Sequence, residues 1–269
     1  MASNSRAVLV TGAAGGIGSA ITRALVAAGH SVAAVDRDAE GLKQLPTSER
    51  IHSIMADLAS EAGCREAVAS AVVRFGRLDA VINNAGIGVS SLRPDAEINW
   101  PGIEELTCEV WDNFFAINTR APWLVTQAAL PHMRQGGFGR IINVTTSFRT
   151  MLRILPYGAT KSALESMSSV WAQELEGDGI TVNVLIPGGP TDTAIIADGA
   201  GWDRKKMLRP EIMAPPACWL ISDGAADYTG QRIIAANWDG KLPGREAAAK
   251  AGRAIGWPEL GADAVWLRG

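Results

Sequence analysis

The sequence predicts a single-domain α/β fold, a doubly wound parallel β-sheet with helices on both faces. Short apolar runs rich in β-branched residues alternate with longer segments of helical periodicity along most of the 269 residues. These runs are apolar throughout rather than at every second position, which is typical of strands buried on both faces of a parallel sheet. Because right-handed crossovers join such strands, the alternation favours a doubly wound sheet. No internal repeat or low-complexity linker divides the chain.

The first half of the chain shows the helical periodicity clearly. Over 16–29, Ile17, Ile21, Leu25 and Ala28 recur at helical spacing and predict one apolar face. The other elements predicted in this half are strands at 7–12, 31–36, 53–58 and 78–86, a polar helix before the third strand and a helix at 61–75.

The second half continues the alternation and then departs from it. The pattern predicts one domain over 1–240, followed by a C-terminal extension at 241–269 that is rich in Ala and Gly and carries Trp257 and Trp266. A long connection at 87–108 follows a predicted strand, and it either borders a ligand site or is a surface excursion. The elements predicted in this half are helices near 109–133 and 157–177 and strands at 139–146, 180–189 and 231–240.

Composition and charge argue against several classes of protein. The chain is 47% hydrophobic and 20% charged with a net charge of −3, which gives no reason to expect nucleic acid or an anionic membrane as a partner. The apolar runs are too short to span a bilayer, and the N-terminus lacks the pattern of a signal peptide. We therefore expect a cytoplasmic protein.

Cysteines and histidines show neither a disulfide framework nor a metal site. The cysteines are odd in number and far apart, which favours reduced thiols in the cytosol: Cys64, Cys108 and Cys218. The histidines are isolated and lack metal-ligand spacing: His30, His52 and His132. We expect no bound metal.

A glycine-rich turn predicts a dinucleotide site. Gly12, Gly16 and Gly18 stand between the first strand and the first helix, where small residues let backbone amides approach a pyrophosphate. Asp36 ends the second strand, and a carboxylate there can accept hydrogen bonds from ribose hydroxyls and repel a 2′-phosphate. This favours NAD over NADP. Arg37 is the opposing signal, since its guanidinium could bind that phosphate. Asp36 could alternatively be a simple turn former.

A tyrosine and a lysine share one helix face. Tyr157 and Lys161 are four residues apart, so they lie one helical turn from each other. An ammonium beside a phenol is predicted to lower the tyrosine pKa from its usual value of about 10, which would make Tyr157 a usable general acid or base. Taken alone, such a pair also fits a solvated helix face.

Several further motifs stand in order along the chain. They are Thr11-Gly12-x-x-x-Gly16-x-Gly18, Asp57-Leu58, Asn83-Asn84-Ala85-Gly86, Asn118, "GRIINVTTS", Tyr157-x-x-x-Lys161 and "PGGPTD". With these motifs, residues 6–240 resemble the short-chain dehydrogenase/reductase family in its single-domain form of roughly 250 residues. The resemblance implies a Rossmann fold, a nicotinamide dinucleotide cofactor, a small alcohol or ketone as substrate, and a homodimer or homotetramer.

The resemblance also implies a role for each matching residue. Lys161 would bind the nicotinamide ribose hydroxyls and lower the pKa of Tyr157, and Asn118 would support a water molecule in a proton relay. The residues implied to lie against the cofactor are Gly12, Gly16, Ile17 and Gly18 at the pyrophosphate, Asp36 (with Arg37 beside it) at the adenosine ribose, Asp57 and Leu58 at the adenine, then Asn84, Ala85, Gly86, Tyr157 and Lys161, and Pro187, Gly188 and Thr191 near the carboxamide.

The chain departs from the family pattern at two places. The family has a serine at the end of the fifth strand that hydrogen-bonds the substrate oxygen. An ungapped alignment places Thr146 there, and Ser147 follows. Either hydroxyl is a suitable donor and acceptor; we favour Ser147 for its family-like chemistry, and Thr146 has the simpler alignment. The second departure is the longer connection at 87–108, so substrate identity does not carry over from the family.

The sequence predicts an NAD-dependent oxidoreductase that interconverts a secondary alcohol and a ketone, with Tyr157 as general acid/base. The alternatives are an NADPH-dependent carbonyl reductase of the 3-oxoacyl type and a non-catalytic dinucleotide-binding sensor or scaffold. Arg149 and Arg153 would suit an acidic substrate or be solvated. Six apolar residues form either a substrate pocket or ordinary packing: Val89, Leu92, Trp100, Leu152, Ile154 and Leu155.

Overall fold

One eight-stranded sheet runs through the computed structural model, which describes residues 5–198 and 201–261. In chain order, the strands are β1 Ala7–Thr11, β2 Ser31–Asp36, β3 Ile51–Met55, β4 Ala80–Asn83, β5 Gly139–Val144, β6 Ile180–Ile186, β7 Gln231–Ile234 and β8 Gly252–Ala254. Their spatial order is β3-β2-β1-β4-β5-β6-β7-β8, and every neighbouring pair is parallel except β7 with β8. The order reverses between β1 and β4, so the predicted doubly wound sheet is confirmed.

Helices cover both faces of this sheet. A typical one is α3, which begins after Ser60, whose hydroxyl caps the amide of Gly63, and ends at Gly76 in the left-handed region at φ 71°. The helices are α1 Gly16–Ala27, α2 Ala39–Lys43, α3 Glu61–Phe75, α4 Cys108–Phe115, α5 Ala121–Gly136, α6 Phe148–Met151, α7 Tyr157–Glu174, α8 Ala214–Ile221, α9 Gly244–Ala251 and α10 Pro258–Gly261.

The apolar strands separate two cores, one on each face of the sheet. Val8 and Val10 of β1 belong to the same core as Leu25 of α1, whereas Leu9 belongs to the opposite core with Val68 of α3. Because side chains alternate along a strand, a strand with cores on both faces is apolar at most of its positions. This is the pattern the sequence shows.

Several predicted elements differ from the observed ones. The strand predicted at 78–86 is only Ala80–Asn83, because the chain leaves the sheet at its carboxyl edge and enters a loop. The helix predicted near 109–133 is interrupted by a π-helical turn at Ala116–Arg120, which separates α4 from α5. Such turns are frequent at functional sites. The strands predicted at 53–58, 180–189 and 231–240 are displaced or shortened to Ile51–Met55, Ile180–Ile186 and Gln231–Ile234.

The described part of the C-terminal extension joins the sheet. β8 pairs antiparallel with β7, a strand that the sequence does not predict because it has three residues and no apolar pattern. Trp257 packs against Phe148 with ring centroids 5.3 Å apart, whereas Trp266 lies outside the described residues. The division at residue 240 stays a prediction. α9 contributes three alanines to the protein interior: Ala247, Ala248 and Ala251.

Across 5–198 and 201–261, no helix is long and apolar enough to cross a membrane.

Candidate active site

A cavity of ≈ 1060 Å³ opens at the carboxyl edge of the sheet, around the reversal between β1 and β4. Ligands bind at this position in doubly wound sheets. Gly18 and Asn118 are the two predicted site residues that do not line it. Those that do are Gly12, Gly16, Ile17, Asp36, Arg37, Asp57, Leu58, Asn84, Ala85, Gly86, Thr146, Ser147, Tyr157, Lys161, Pro187, Gly188 and Thr191.

The glycine-rich turn leaves room for a phosphate group. Gly12 has φ +67°, and a Cβ there would lie 2.9 Å from Cα of Ala85, while a Cβ on Gly18 would overlap the carbonyl oxygen of Gly12. Asn84 closes the turn, because its Nδ2 donates to the carbonyls of Thr11 at 2.9 Å and Gly12 at 3.1 Å. Backbone at the start of α1 therefore faces the cavity without side chains in between, which fits a pyrophosphate.

Asp36 is held at the end of β2 in one orientation. Its Oδ2 accepts a hydrogen bond from the amide of Ala14 at 3.0 Å, and its Oδ1 accepts one from the amide of Asp38 at 3.0 Å. Each oxygen keeps further lone pairs for the cavity. Arg37 lines the same cavity as Asp36.

Tyr157 begins α7, and Lys161 follows one turn later. The Lys161 Nζ lies 5.9 Å from the centroid of the Tyr157 ring and donates to the carbonyl of Val144 at 2.9 Å. Burial lowers the pKa of Lys161 to about 8. Burial, together with the charge of Glu97, raises the pKa of Tyr157 to about 12. The predicted lowering of the tyrosine pKa is therefore wrong for this structure, because desolvation outweighs an ammonium that is directed at a carbonyl instead of the phenol.

The two hydroxyls after β5 have different partners. Ser147 caps α6: its Oγ accepts from the amide of Thr150 at 3.1 Å and lies 2.8 Å from the Thr150 Oγ1. The side chain of Thr146 instead interacts with Tyr157 and lowers the pKa of its phenol. Both residues line the cavity, and Thr146 is the one that contributes to the pKa of Tyr157.

Asn118 lies in the π-helical turn and connects three parts of the site. Its Oδ1 accepts from the amide of Ile87 at 2.8 Å, and its Nδ2 donates to the carbonyl of Ile87 at 3.0 Å and to the Thr160 Oγ1 at 3.1 Å. The side chain is completely buried. Asn118 therefore attaches the start of the 87–108 connection to the helix that carries Tyr157.

Glu165 and Arg232 form a buried ion pair that sequence reasoning missed. Glu165 accepts from the Nε of Arg232 at 2.9 Å and from the Oγ1 of Thr145 at 2.8 Å, and Arg232 also donates to the carbonyl of Thr146. Burial raises the pKa of Glu165 and lowers that of Arg232. Glu165 follows Lys161 by four residues on α7, and this spacing could have shown that the two share a helix face.

The predicted substrate-pocket residues divide into two groups. Val89, Trp100 and Ile154 line the cavity, as do Arg149 and Arg153. The other three apolar residues do not: Leu92, Leu152 and Leu155.

Fold and site together define an oxidoreductase of alcohols and ketones that uses a nicotinamide dinucleotide. A family model described as short chain dehydrogenase matches residues 6–201. D-threitol dehydrogenase from Mycolicibacterium smegmatis is 33% identical over 250 residues, which cover 85% of this chain and 90% of that protein. The chain belongs to the short-chain dehydrogenase family, so the predicted family, fold and enzyme class are confirmed.

Solved structures of this family superpose on the chain. A 3-ketoacyl-(acyl-carrier-protein) reductase from Brucella melitensis, complexed with NADH, gives a TM-score of 0.73 at 26% identity, covering 87% of this chain and 97% of that one. A blue fluorescent protein from a metagenomic library, in complex with NADPH, gives 0.73 at 30% identity, covering 86% and 96%. These two relatives carry different dinucleotides, so the comparison supports NAD(P) as the cofactor class.

We expect Arg232→Met to lower the free energy of unfolding by about 3–5 kcal/mol at pH 8, because Glu165 would keep a buried charge without its partner. The loss should shrink toward pH 5. Removing Arg232 raises the pKa of Glu165 in the folded protein further. The loss of stability is therefore absent below the pKa that Glu165 has in the unfolded chain, and it grows as the pH rises from there to the pKa in the folded protein. Urea unfolding of the variant and the wild type at both pH values measures this difference.

The matched control for this ion pair is the double variant Glu165→Leu/Arg232→Met. It removes both charges and should recover most of the lost stability. A single variant that loses less than about 1 kcal/mol, or a double variant no more stable than the single one, would contradict the role of the pair.

Proposed function

We propose that this protein is an NAD-dependent oxidoreductase that interconverts a secondary alcohol and a ketone, with Tyr157 as the general acid/base. The observation that carries the proposal is that Tyr157 and Thr146 line the same cavity as the glycine-rich turn and Asp36. The name of the D-threitol dehydrogenase relative supports an alcohol as the substrate.

The side chains of the chain account for proton transfer and orientation. When bound, NAD supplies the acceptor for the hydride that leaves the carbinol carbon. Thr146 holds the substrate oxygen, and Tyr157 exchanges the hydroxyl proton at its Oη. A phenol with a pKa of about 12 is protonated at neutral pH and is ready to donate to a ketone oxygen. In the oxidative direction the phenolate must accept a proton, and the Lys161 ammonium, 5.9 Å from the ring centroid, would favour that phenolate once it turns from the Val144 carbonyl to the phenol.

NAD is the proposed cofactor because Asp36 presents an anchored carboxylate to the adenosine end of the cavity. Arg37 supports the second candidate, an NADPH-dependent carbonyl reductase. The proposed compartment is the cytoplasm. A homo-oligomer through α4, α5 and α7 is also proposed, and it is supported by large apolar side chains exposed on these helices: Trp111, Trp123 and Val170.

Tyr157→Phe should lower kcat by about 10²–10⁴-fold, the range that general acid–base catalysis supplies. NADH binding, measured by fluorescence titration, should stay within a few-fold of wild type, because the ring remains. A Phe variant with near-normal turnover would exclude Tyr157 as the proton carrier. Wild-type protein that binds NADH but oxidises no secondary alcohol would instead favour the non-catalytic sensor.

Thr146→Val should reduce kcat by about 10²–10³-fold, because it removes the hydroxyl proposed to hold the substrate oxygen and keeps the side-chain shape. Ser147→Ala is the matched comparison. It should cost about 1 kcal/mol of stability through loss of the α6 cap and change kcat only a few-fold. Steady-state kinetics and thermal unfolding separate the two effects. If Ser147→Ala lowers kcat more than Thr146→Val does, Ser147 is the residue that holds the substrate oxygen.

Asp36→Ala should weaken NADH binding by about 10–100-fold, because hydrogen bonds from ribose hydroxyls to a carboxylate are lost. NADPH binding should improve in the same variant, since a negative charge near the 2′-phosphate is removed. Arg37→Ala is the control and should affect NADPH more than NADH. Wild-type protein that binds NADPH more tightly than NADH in the same titration would replace NAD by NADP in this proposal.

A further inference from the structure

Glu97 is a charged residue of the 87–108 connection that faces the reaction site. It lies half-buried on the wall of the cavity that also contains the Tyr157 hydroxyl. Glu97 and Tyr157 line the same cavity, and in keeping with this the charge of Glu97 raises the pKa of Tyr157. A carboxylate in this cavity can interact directly with a substrate that binds there.

The backbone and neighbours of Glu97 hold it in place. The Ser90 Oγ donates to its Oε1 at 3.3 Å and in turn accepts from the amide of Ala197 at 3.2 Å. The Trp100 Nε1 donates to the Glu97 carbonyl at 3.1 Å, and the Arg153 guanidinium lies 6.0 Å from the centroid of the Trp100 ring. Glu97 is therefore positioned by the 87–108 connection itself, by the loop after β6 and by the loop before α7.

The carboxylate keeps most of its hydrogen-bonding capacity for the cavity. Among the described residues, its hydrogen-bond partners are the side chain and the backbone of Ser90. A carboxylate offers about four acceptor positions, and leaving them unmatched away from water costs free energy. In agreement with this cost, burial raises the pKa of Glu97. A substrate with hydroxyl donors would satisfy the remaining positions.

We infer that the substrate is a neutral diol or polyol, and that Glu97 accepts a hydrogen bond from a hydroxyl group other than the one that reacts at Tyr157. The inference rests on the proposed function, because it names the substrate class of that reaction.

The charges around the cavity argue for a neutral substrate. Arg149 and Arg153 line the same cavity as Glu97, so an ammonium group gains one carboxylate but meets two guanidinium groups. A carboxylate substrate gains the two guanidinium groups but meets the charge of Glu97 in the same cavity. A purely apolar alcohol would displace water from Glu97 without offering it a hydrogen-bond donor in return. A polyol avoids all three penalties, because a hydroxyl can donate a hydrogen bond to a carboxylate and accept one from a guanidinium.

The test compares four secondary alcohols with the same four-carbon skeleton and NAD as oxidant. They are 2-butanol, 2,3-butanediol, 3-amino-2-butanol and 3-hydroxybutyrate. For wild-type protein, kcat/KM for 2,3-butanediol should exceed that for 2-butanol by about 10–100-fold, the value of one hydrogen bond to a charged group. The amino alcohol and the hydroxy acid should both fall below the diol. Hexitols and aldose sugars complete the panel as larger polyols.

Glu97→Ala should reduce the preference for the diol over 2-butanol to within about threefold, while Glu97→Gln, whose amide still accepts a hydrogen bond, should keep part of it. The ratio of the two substrates is the readout, because the effect of Glu97 on the pKa of Tyr157 acts on both alike. Glu104→Gln is the matched control. Glu104 is an exposed carboxylate of the same connection outside the cavity, and its variant should leave the ratio unchanged.

The outcomes separate this inference from the proposed function. Equal kcat/KM for the diol and 2-butanol, or a Glu97→Ala variant that slows both in proportion, overturns the polyol inference and leaves the oxidoreductase intact. A preference for 3-amino-2-butanol or for 3-hydroxybutyrate overturns it in favour of a cationic or an anionic substrate. If no alcohol of the panel is oxidised while NADH still binds, the proposed function fails together with the inference.

Discussion

The close approach of the chain after β1 to the chain after β4 is the contact on which the site depends. Thr11 Oγ1 accepts from the amides of Asn84 and Ala85 at 3.0 Å each, and Asn84 Nδ2 returns two hydrogen bonds to the carbonyls of Thr11 and Gly12. A side chain at Gly12 would collide with Ala85. Because these bonds join the two strands at the reversal of strand order, they place the glycine-rich turn and the 87–108 connection at one cavity.

The second constraint is the burial of polar side chains on α7. Lys161 and Glu165 are almost fully buried, and each has a specific partner, the Val144 carbonyl and Arg232 respectively. Both contacts lie at the end of β5, because Val144 is the last residue of that strand and Arg232 donates to the carbonyl of Thr146 just after it. Buried charges are costly unless they are paired, so α7 keeps its register against β5 by satisfying them. The Tyr157 and Thr146 hydroxyls lie at this junction.

Sequence reasoning reached the parts of this arrangement that depend on local pattern. The alternation of apolar runs and helical segments predicts a doubly wound parallel sheet, and the spacing of Tyr157 and Lys161 places them on one helix face. It did not predict β8, which lacks an apolar pattern, or the pKa of Tyr157, which depends on burial and on Glu97 from another part of the chain. Glu165 and Arg232 are 67 residues apart, so their pairing could be recognised only once β5, β7 and α7 were packed together.

The residues on α7 and the residues of the 87–108 connection are held in place in different ways. Tyr157 and Lys161 lie on a helix whose position is determined by buried hydrogen bonds to the sheet, so little variation is tolerated around them. Glu97 lies in an irregular connection held by Ser90 and Trp100, and such a segment can change sequence without disturbing the two cores. Under the proposed function, substrate preference can therefore change through the connection while the proposed proton-transfer groups stay in place. Asn118 links the two, because it bonds to Ile87 on one side and to Thr160 on the other.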